Sequence, residues 1–124
     1  MQIEVKGRNV PVPDDIREHV EKRFAKVGKQ VSEAATMEVE LRREQHPGNP
    51  EHQVAEVTLH LKGTQLRARD ASRDMVHSIN LCADELSRQV KRHREKRRAR
   101  RASRALSAEP LPEMPPGDGI SAAL

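Results

Sequence analysis

Residues 35–69 read ATMEVELRREQHPGNPEHQVAEVTLHLKGTQLRAR, and the alternation in this stretch decides the fold. Met37, Val39 and Leu41 alternate with Glu38, Glu40 and Arg42, which predicts a strand from about Ala35 to Glu44 with one apolar and one charged face. His46-Pro47-Gly48-Asn49-Pro50 is a cluster of turn formers. A second alternation runs from about Gln53 to Lys62, with Ala55, Val57, Leu59 and Leu61 on one side and Glu56, Thr58 and His60 on the other. Gly63 opens a short turn into Thr64–Arg69, where Leu66 and Ala68 face in and Gln65, Arg67 and Arg69 face out. Three such strands with short connections predict an antiparallel meander.

Upstream, Met1, Ile3 and Val5 alternate with Gln2, Glu4, Lys6 and Arg8, a first strand with one buried face. Asn9 to Pro11 breaks it. Pro13 then opens a helix at its first position, where a missing N–H costs nothing, and Asp14 and Asp15 complement the helix dipole. Ile16, Val20, Phe24 and Val27 span about 80° of that helix, a narrow apolar stripe, and Gly28 is its expected stop.

Downstream, Asp70 or Ser72 is expected to cap a long second helix. Met75, Ile79, Cys82, Ala83, Leu86 and Val90 fall within about 100° of one another and form its core stripe. The same face continues with His93, Arg94 and Arg97, so the apolar stripe stops at Val90 while nothing stops the helix. A helix over 71–98 is roughly 42 Å long. A strand of seven to ten residues covers only about 23–34 Å, so the last turns are expected to overhang the sheet. The order β-α-β-β-β-α, with one apolar sheet face and two amphipathic helices, predicts an α+β fold. It is a two-layer sandwich, a four-stranded sheet with both helices on one face and a polar, solvated outer face. Residues 1–101 form the expected domain with its basic helix extension. Residues 102–124, with Pro110, Pro112, Pro115, Pro116, Gly117 and Gly119, are an expected disordered linker or tail.

The 124-residue chain carries a formal charge of +4, but the charge is unevenly spread. Arg88, Lys91, Arg92, Arg94, Lys96, Arg97, Arg98, Arg100, Arg101 and Arg104 are opposed within that window by Glu95 alone, about +9 against about −5 for the rest. Such asymmetry points to a polyanion partner. With one Phe and no Trp or Tyr, recognition by stacking bases on aromatic rings is nearly excluded. The basic run lacks the apolar face of a membrane-lying helix, and no apolar stretch approaches the ~20 residues that cross a bilayer. The start MQIEVKGRNV is no secretory signal, so the protein is expected in the cytoplasm. Cys82 lies on the apolar stripe and reads as a core residue. His19, His46, His52, His60, His77 and His93 show no ligand spacing, and no metal or other cofactor is expected. Asp14-Asp15 fits helix-start electrostatics, not acid–base chemistry, so no enzyme and no small-molecule substrate is expected.

Three segments in order also resemble the ribosome hibernation-promoting factors, or ribosome-associated inhibitors. They are Ile3-Glu4-Val5-Lys6-Gly7-Arg8-Asn9, the helix Ile16 to Phe24, and the second-helix pattern of Asp74-Met75, Ile79, Ala83-Asp84, Leu86, Arg88-Gln89 and the bases beyond. The resemblance covers about residues 1–98. It departs at Val76, where the family usually has an aromatic residue, and at Asn80 and Glu85, which replace a common Asp and Lys. No phosphate contact carries over to Glu85. The resemblance implies a fold similar to double-stranded RNA-binding domains. It also implies binding of the small ribosomal subunit, through its RNA and proteins, in the channel of messenger RNA and of A- and P-site transfer RNA. Blocked translation and preserved idle ribosomes follow from it. Long members add a C-terminal dimerising domain, so a homodimer is expected only if such a domain is present.

The candidate RNA-binding residues are Arg88, Lys91, Arg92, Arg94, Lys96, Arg97, Arg98, Arg100 and Arg101, with a smaller stripe, Lys22, Lys26 and Lys29, on the first helix. Glu18 and Glu21 lie close to that stripe, which leaves it open between an RNA contact and an ordinary wet face. Two further readings stay open: a general binder of structured RNA, and a protein-interaction module whose basic tail serves an acidic protein.

Overall fold

The structure, a computed structural model, describes residues 1–45, 47–50 and 52–108, with the backbone alone at Ser107 and Ala108. Alternation becomes pairing as expected. Four strands, β1 (Gln2–Arg8), β2 (Thr36–Arg43), β3 (Gln53–Leu61) and β4 (Thr64–Ser72), form one sheet in the order β1-β2-β3-β4. The β2–β3–β4 meander is antiparallel, with Val39 opposite Val57 and Val57 opposite Ala68, so apolar residues stack across it. Gly63 turns the last hairpin with φ of +80°, a left-handed conformation that favours glycine. Between β1 and β2 lies α1 (Asp14–Gly28), a crossover long enough to set the two strands parallel, Ile3 against Met37 and Val5 against Val39. The second helix, α2, spans Met75–Ala108.

The core is the one the two periodicities mark out. Val20, Phe24 and Val27 of α1 and Ile79, Cys82, Ala83, Leu86 and Val90 of α2 are buried with Val5, Met37, Val39, Leu41, Ala55, Val57, Leu59 and Ala68 of the sheet. Ile16, Leu66 and Met75 are partly buried against it. Both helices therefore cover the same sheet face, and the chain is an α+β two-layer domain through Val90. A second compact unit begins at Lys91, where the apolar stripe ends.

Local details correct the expectations. Asp74, not Asp70 or Ser72, caps α2: its Oδ2 accepts from the His77 N–H at 3.1 Å. Ser72 instead accepts from the Asp74 N–H at 3.2 Å. Asp70 is the register partner of Ala55, inside β4, because that strand runs on to Ser72. Pro13 stands one residue before α1 with extended backbone and gives its carbonyl to the Arg17 N–H at 2.9 Å. Gly28 ends α1 without a left-handed turn, and the flexible end of the Met1 side chain lies over it, 2.5 Å from where a Cβ would stand. The outer sheet face is not uniformly solvated: Val54, whose register partners are Arg42 and Ala71, is fully buried there. The helix also runs past Arg98 and Arg101 to Ala108, through Ala102, Ala105 and Leu106, all good helix formers. His46 of the turn cluster and residues 109–124 of the tail lie outside the described residues.

Candidate nucleic-acid interface

Helix α1 carries its charges in order along its length. Asp14 and Asp15 occupy its first turn and Lys26 its last, each complementing the helix dipole, and Lys29 follows as the residue after the helix. Lys22, Lys26 and Lys29 are all exposed, so the stripe expected from spacing is present on the surface. Arg23, inside the same basic stretch, is withheld from it. Its Nη2 donates to Asp84 Oδ1 at 2.9 Å and to the Asn80 carbonyl at 3.4 Å. His19 Nε2 donates to Asn80 Oδ1 at 2.8 Å, the tautomer being fixed by the carbonyl oxygen it meets. These three contacts pin α1 to α2 across 57 to 61 residues of sequence, a separation no spacing rule reaches.

The departures Asn80 and Glu85 thus have structural roles. Asn80 serves the pin. Glu85 accepts from Arg88 Nη2 at 2.9 Å and from Gln89 Nε2 at 3.3 Å, and Gln89 Nε2 also reaches the Arg67 carbonyl on the edge strand at 2.6 Å. Arg88, a candidate phosphate ligand, is exposed but ion-paired to Glu85, and that hydrogen bond raises its pKa. An i,i+3 pair of this kind is legible from spacing. The exposed arginines Arg67 and Arg69 also differ from each other: Arg69 pairs with Glu44 at 2.7 Å.

From Lys91 the second unit presents Lys91, Arg92, Arg94, Lys96, Arg97, Arg98, Arg100, Arg101 and Arg104 as exposed side chains. Among the described residues none of these bases stands in an ion pair, Glu95 included as a partner. Nine exposed cations with one nearby acid cannot neutralise one another, and a phosphate chain satisfies them by releasing its counterions. Catalytic chemistry finds no comparable arrangement. The Cys82 thiol is buried, and burial, with Asp70 nearby, pushes its pKa up to about 12, so it is held protonated. No cluster of metal-ligating side chains occurs among the described residues, and none of their helices is long and apolar enough to cross a membrane.

A four-stranded α+β body whose second helix continues into a basic run without ion pairs among the described residues defines the class of fold, and comparison with known proteins gives the class its family. Residues 3–98 match the model of the sigma 54 modulation protein / S30EA ribosomal protein family, and the chain belongs to that family. It is similar to a ribosome hibernation promotion factor of Picosynechococcus sp., with 30% identity over 122 residues, 97% of this chain. It spans only 63% of that relative's length. It is also similar to a ribosome hibernation promoting factor of Azotobacter vinelandii, 29% identical over 112 residues, 90% of this chain and 100% of that protein. Among solved structures, the Thermus thermophilus Protein Y N-terminal domain is 30% identical with a TM-score of 0.63, covering 75% of this chain and 99% of that one. A ribosomal subunit interface protein from Coxiella burnetii has a TM-score of 0.64 at 19% identity, covering 77% of this chain and 99% of that one, a likeness of fold.

Proposed function

We propose that the protein is a ribosome hibernation factor of the cytoplasm. It occupies the small ribosomal subunit in the channel used by messenger RNA and by transfer RNA at the A and P sites. Translation stops, and the idle ribosome is preserved. The observation that carries this reading is the run of eight exposed bases from Lys91 to Arg101, none in an ion pair among the described residues, on a domain of this family. Its partners are ribosomal RNA and adjoining ribosomal proteins, and its work is binding, with no reaction to catalyse. Phosphate contacts through Arg and Lys give affinity and position without reading bases, which suits a chain with one aromatic residue. Residues 1–101 form the binding unit, with Lys22, Lys26 and Lys29 as a second contact, and residues 102–124 contribute little to it.

The test is a ribosome-pelleting titration at several salt concentrations, with transfer RNA as competitor. Replacing Lys91, Arg92, Lys96, Arg97 and Arg98 with Gln leaves the body folded by circular dichroism, because these side chains lie outside its core. Binding to small subunits is expected to fall by orders of magnitude, and the log–log salt slope to flatten by about 0.9 for each phosphate no longer neutralised. Inhibition of translation falls in parallel. Unchanged binding by the folded variant would remove the basic run from the interface. Binding that transfer RNA cannot displace would favour a general structured-RNA binder, and capture of an acidic protein in RNA-free extract would favour the protein-interaction reading.

A further inference from the structure

Three charges meet where β4 faces α2, and polyanion binding alone does not explain them. Asp70 shares the helix-covered sheet face with its register partner Ala55. Its Oδ2 is buried and has no hydrogen-bond partner among the described residues. Burial raises the Asp70 pKa, the Glu85 carboxylate adds to the rise, and Arg88 and then Arg69 oppose it. Glu85 in turn holds Arg88 at 2.9 Å. Arg88 is thus paired to Glu85 and its charge is felt by Asp70, in the helix whose following bases, from Lys91 on, stand in no ion pair among the described residues.

A phosphate that engaged Arg88 would meet the Glu85 carboxylate already on its Nη2 and be repelled by it. Glu85 gains nothing by swinging toward the sheet, where Asp70 adds negative charge and its buried Oδ2 has no hydrogen-bond partner among the described residues. Gln89 limits how far this turn of helix can adjust, because its side chain is fastened both to Glu85 and to the Arg67 carbonyl on the sheet edge. From this geometry we infer that Glu85, backed by Asp70, is a brake on ribosome binding: it keeps Arg88 from phosphate and holds affinity below what the basic run would otherwise give. The brake suits a factor that has to leave the ribosome as well as occupy it. The inference rests on the RNA-binding reading above and names a residue that tunes it.

The experiment is a double-mutant cycle in the full chain, with E85Q, R88Q and the pair, each checked by thermal melting and titrated onto purified small subunits across a salt series. E85Q keeps the size and the hydrogen-bonding oxygen of the side chain and removes its charge. It is expected to bind about fivefold tighter, the scale of one exposed ion pair. Its log–log salt slope should steepen by about 0.9, as one more phosphate is neutralised. E85Q/R88Q should bind no tighter than R88Q and with the same slope, since the gain from E85Q runs through Arg88. E85A serves as a second variant with the same expectation. A tighter E85Q that R88Q does not reverse would assign the tighter binding to a firmer fold and overturn the brake, as would an E85Q and E85A no tighter than the parent. An R88Q that alone weakens binding by orders of magnitude would show Arg88 already on phosphate, and the brake would fall with that result too. A parent that shows no salt-dependent binding at all would sink the functional reading, and the brake with it.

Discussion

Two arginine-bearing regions of this chain have opposite fates. On the outer sheet face Arg42 is only 14% exposed and reaches Glu56 at 2.7 Å, Glu44 at 2.8 Å and Glu40 at 3.0 Å. Burial works against its charge, but the hydrogen bonds of Glu44 and Glu56 and the nearby charge of Glu56 outweigh it and raise the Arg42 pKa. Arg69 is tied to Glu44 beside it, and His60 to Glu38 at 3.0 Å. From Lys91 to Arg104 the bases are as numerous as anywhere in the chain, and among the described residues none has an acid. Charges that find partners within the fold fix local shape and add little to the field around the molecule. Charges that find none add up, and the sum is what a polyanion detects. Net charge, +4 for the whole chain, hides this division completely.

The largest expected effect removes the body and asks whether the basic run needs it. Leu86 is fully buried between α2 and the sheet. L86D places an unpaired carboxylate there and should cost about 4 kcal/mol, most of the stability of a domain at the low end of the usual range of about 5–15 kcal/mol. The Arg42 network depends on strand register and is lost with it. The basic run depends on composition and should keep weak, salt-sensitive affinity for any polyanion while losing its preference for the small subunit. A melting temperature equal to the parent's would mean that α2 does not dock through Leu86. Preference for the subunit retained in an unfolded chain would mean that the body does not select the site.

The next effect in size is R42A. It leaves the Glu40, Glu44 and Glu56 carboxylates, each 27–28% exposed, facing one another without their shared cation. The expected loss is roughly 2 kcal/mol of stability, less than for a fully buried pair because water reaches these groups. It should shrink as salt screens the three like charges. Ribosome binding should keep the parent's salt slope. A slope that changed in a folded R42A would place Arg42 among the phosphate contacts and erase the distinction between the two regions.

Much of this division is legible in the sequence, and the rest is not, for physical reasons. Period-two alternation locates the meander, and the 3.6-residue period of Met75 to Val90 locates the face of α2, because burial on one side imposes both. The basic run is plain from composition. What escapes depends on cross-strand or cross-helix neighbours. Val54 breaks the polar pattern of its face because Arg42 and Ala71 stand beside it in register. Arg23 leaves the α1 stripe because Asp84 waits 61 residues away. Sequence alone misplaces the N-cap of α2, since Asp70, Ser72 and Asp74 are all competent caps and only the length of β4 chooses among them. Glu85–Arg88 is legible as a helical pair, but the approach of Asp70 from β4 is not.

A smaller effect tests Asp70, whose buried Oδ2 has no hydrogen-bond partner among the described residues. Burial and Glu85 raise the Asp70 pKa above its ordinary 3.8. A carboxyl that holds its proton more tightly when folded favours folding below the unfolded pKa and loses that contribution as pH rises through the folded one. Above its folded pKa the parent carries a charged, poorly solvated Asp70. D70N should melt at a higher temperature than the parent at pH 7, and the difference should diminish as pH falls through the acid range toward 3.8. An Asn that lowered the melting temperature at pH 7 would show that the Asp70 charge is satisfied, and would weaken the case that Glu85 lacks room beside it.

The smallest effect concerns residues 105–124, which follow the basic run and carry no base of their own. The described part of this segment is helical to Ala108, and Leu106 is 69% exposed. Beyond it the sequence holds Glu109, Glu113 and Asp118 among four prolines and two glycines, with no apolar period from which a core could be built. Deleting 105–124 should leave the melting temperature unchanged. The deletion takes three acids from a chain with nine bases in its basic run, but at physiological salt exposed charges separated by more than about 8 Å are largely screened, so affinity for small subunits should move by no more than about twofold. Neither form should pair ribosomes, which sedimentation of ribosomes mixed with each would show. A drop of about tenfold or more on deletion would mean that the interface extends past Arg104, since no loss of charge accounts for it. Efficient pairing by residues 1–124 that the deletion abolished would make the tail an association element, and the boundary between binding unit and tail would have to move beyond Arg101.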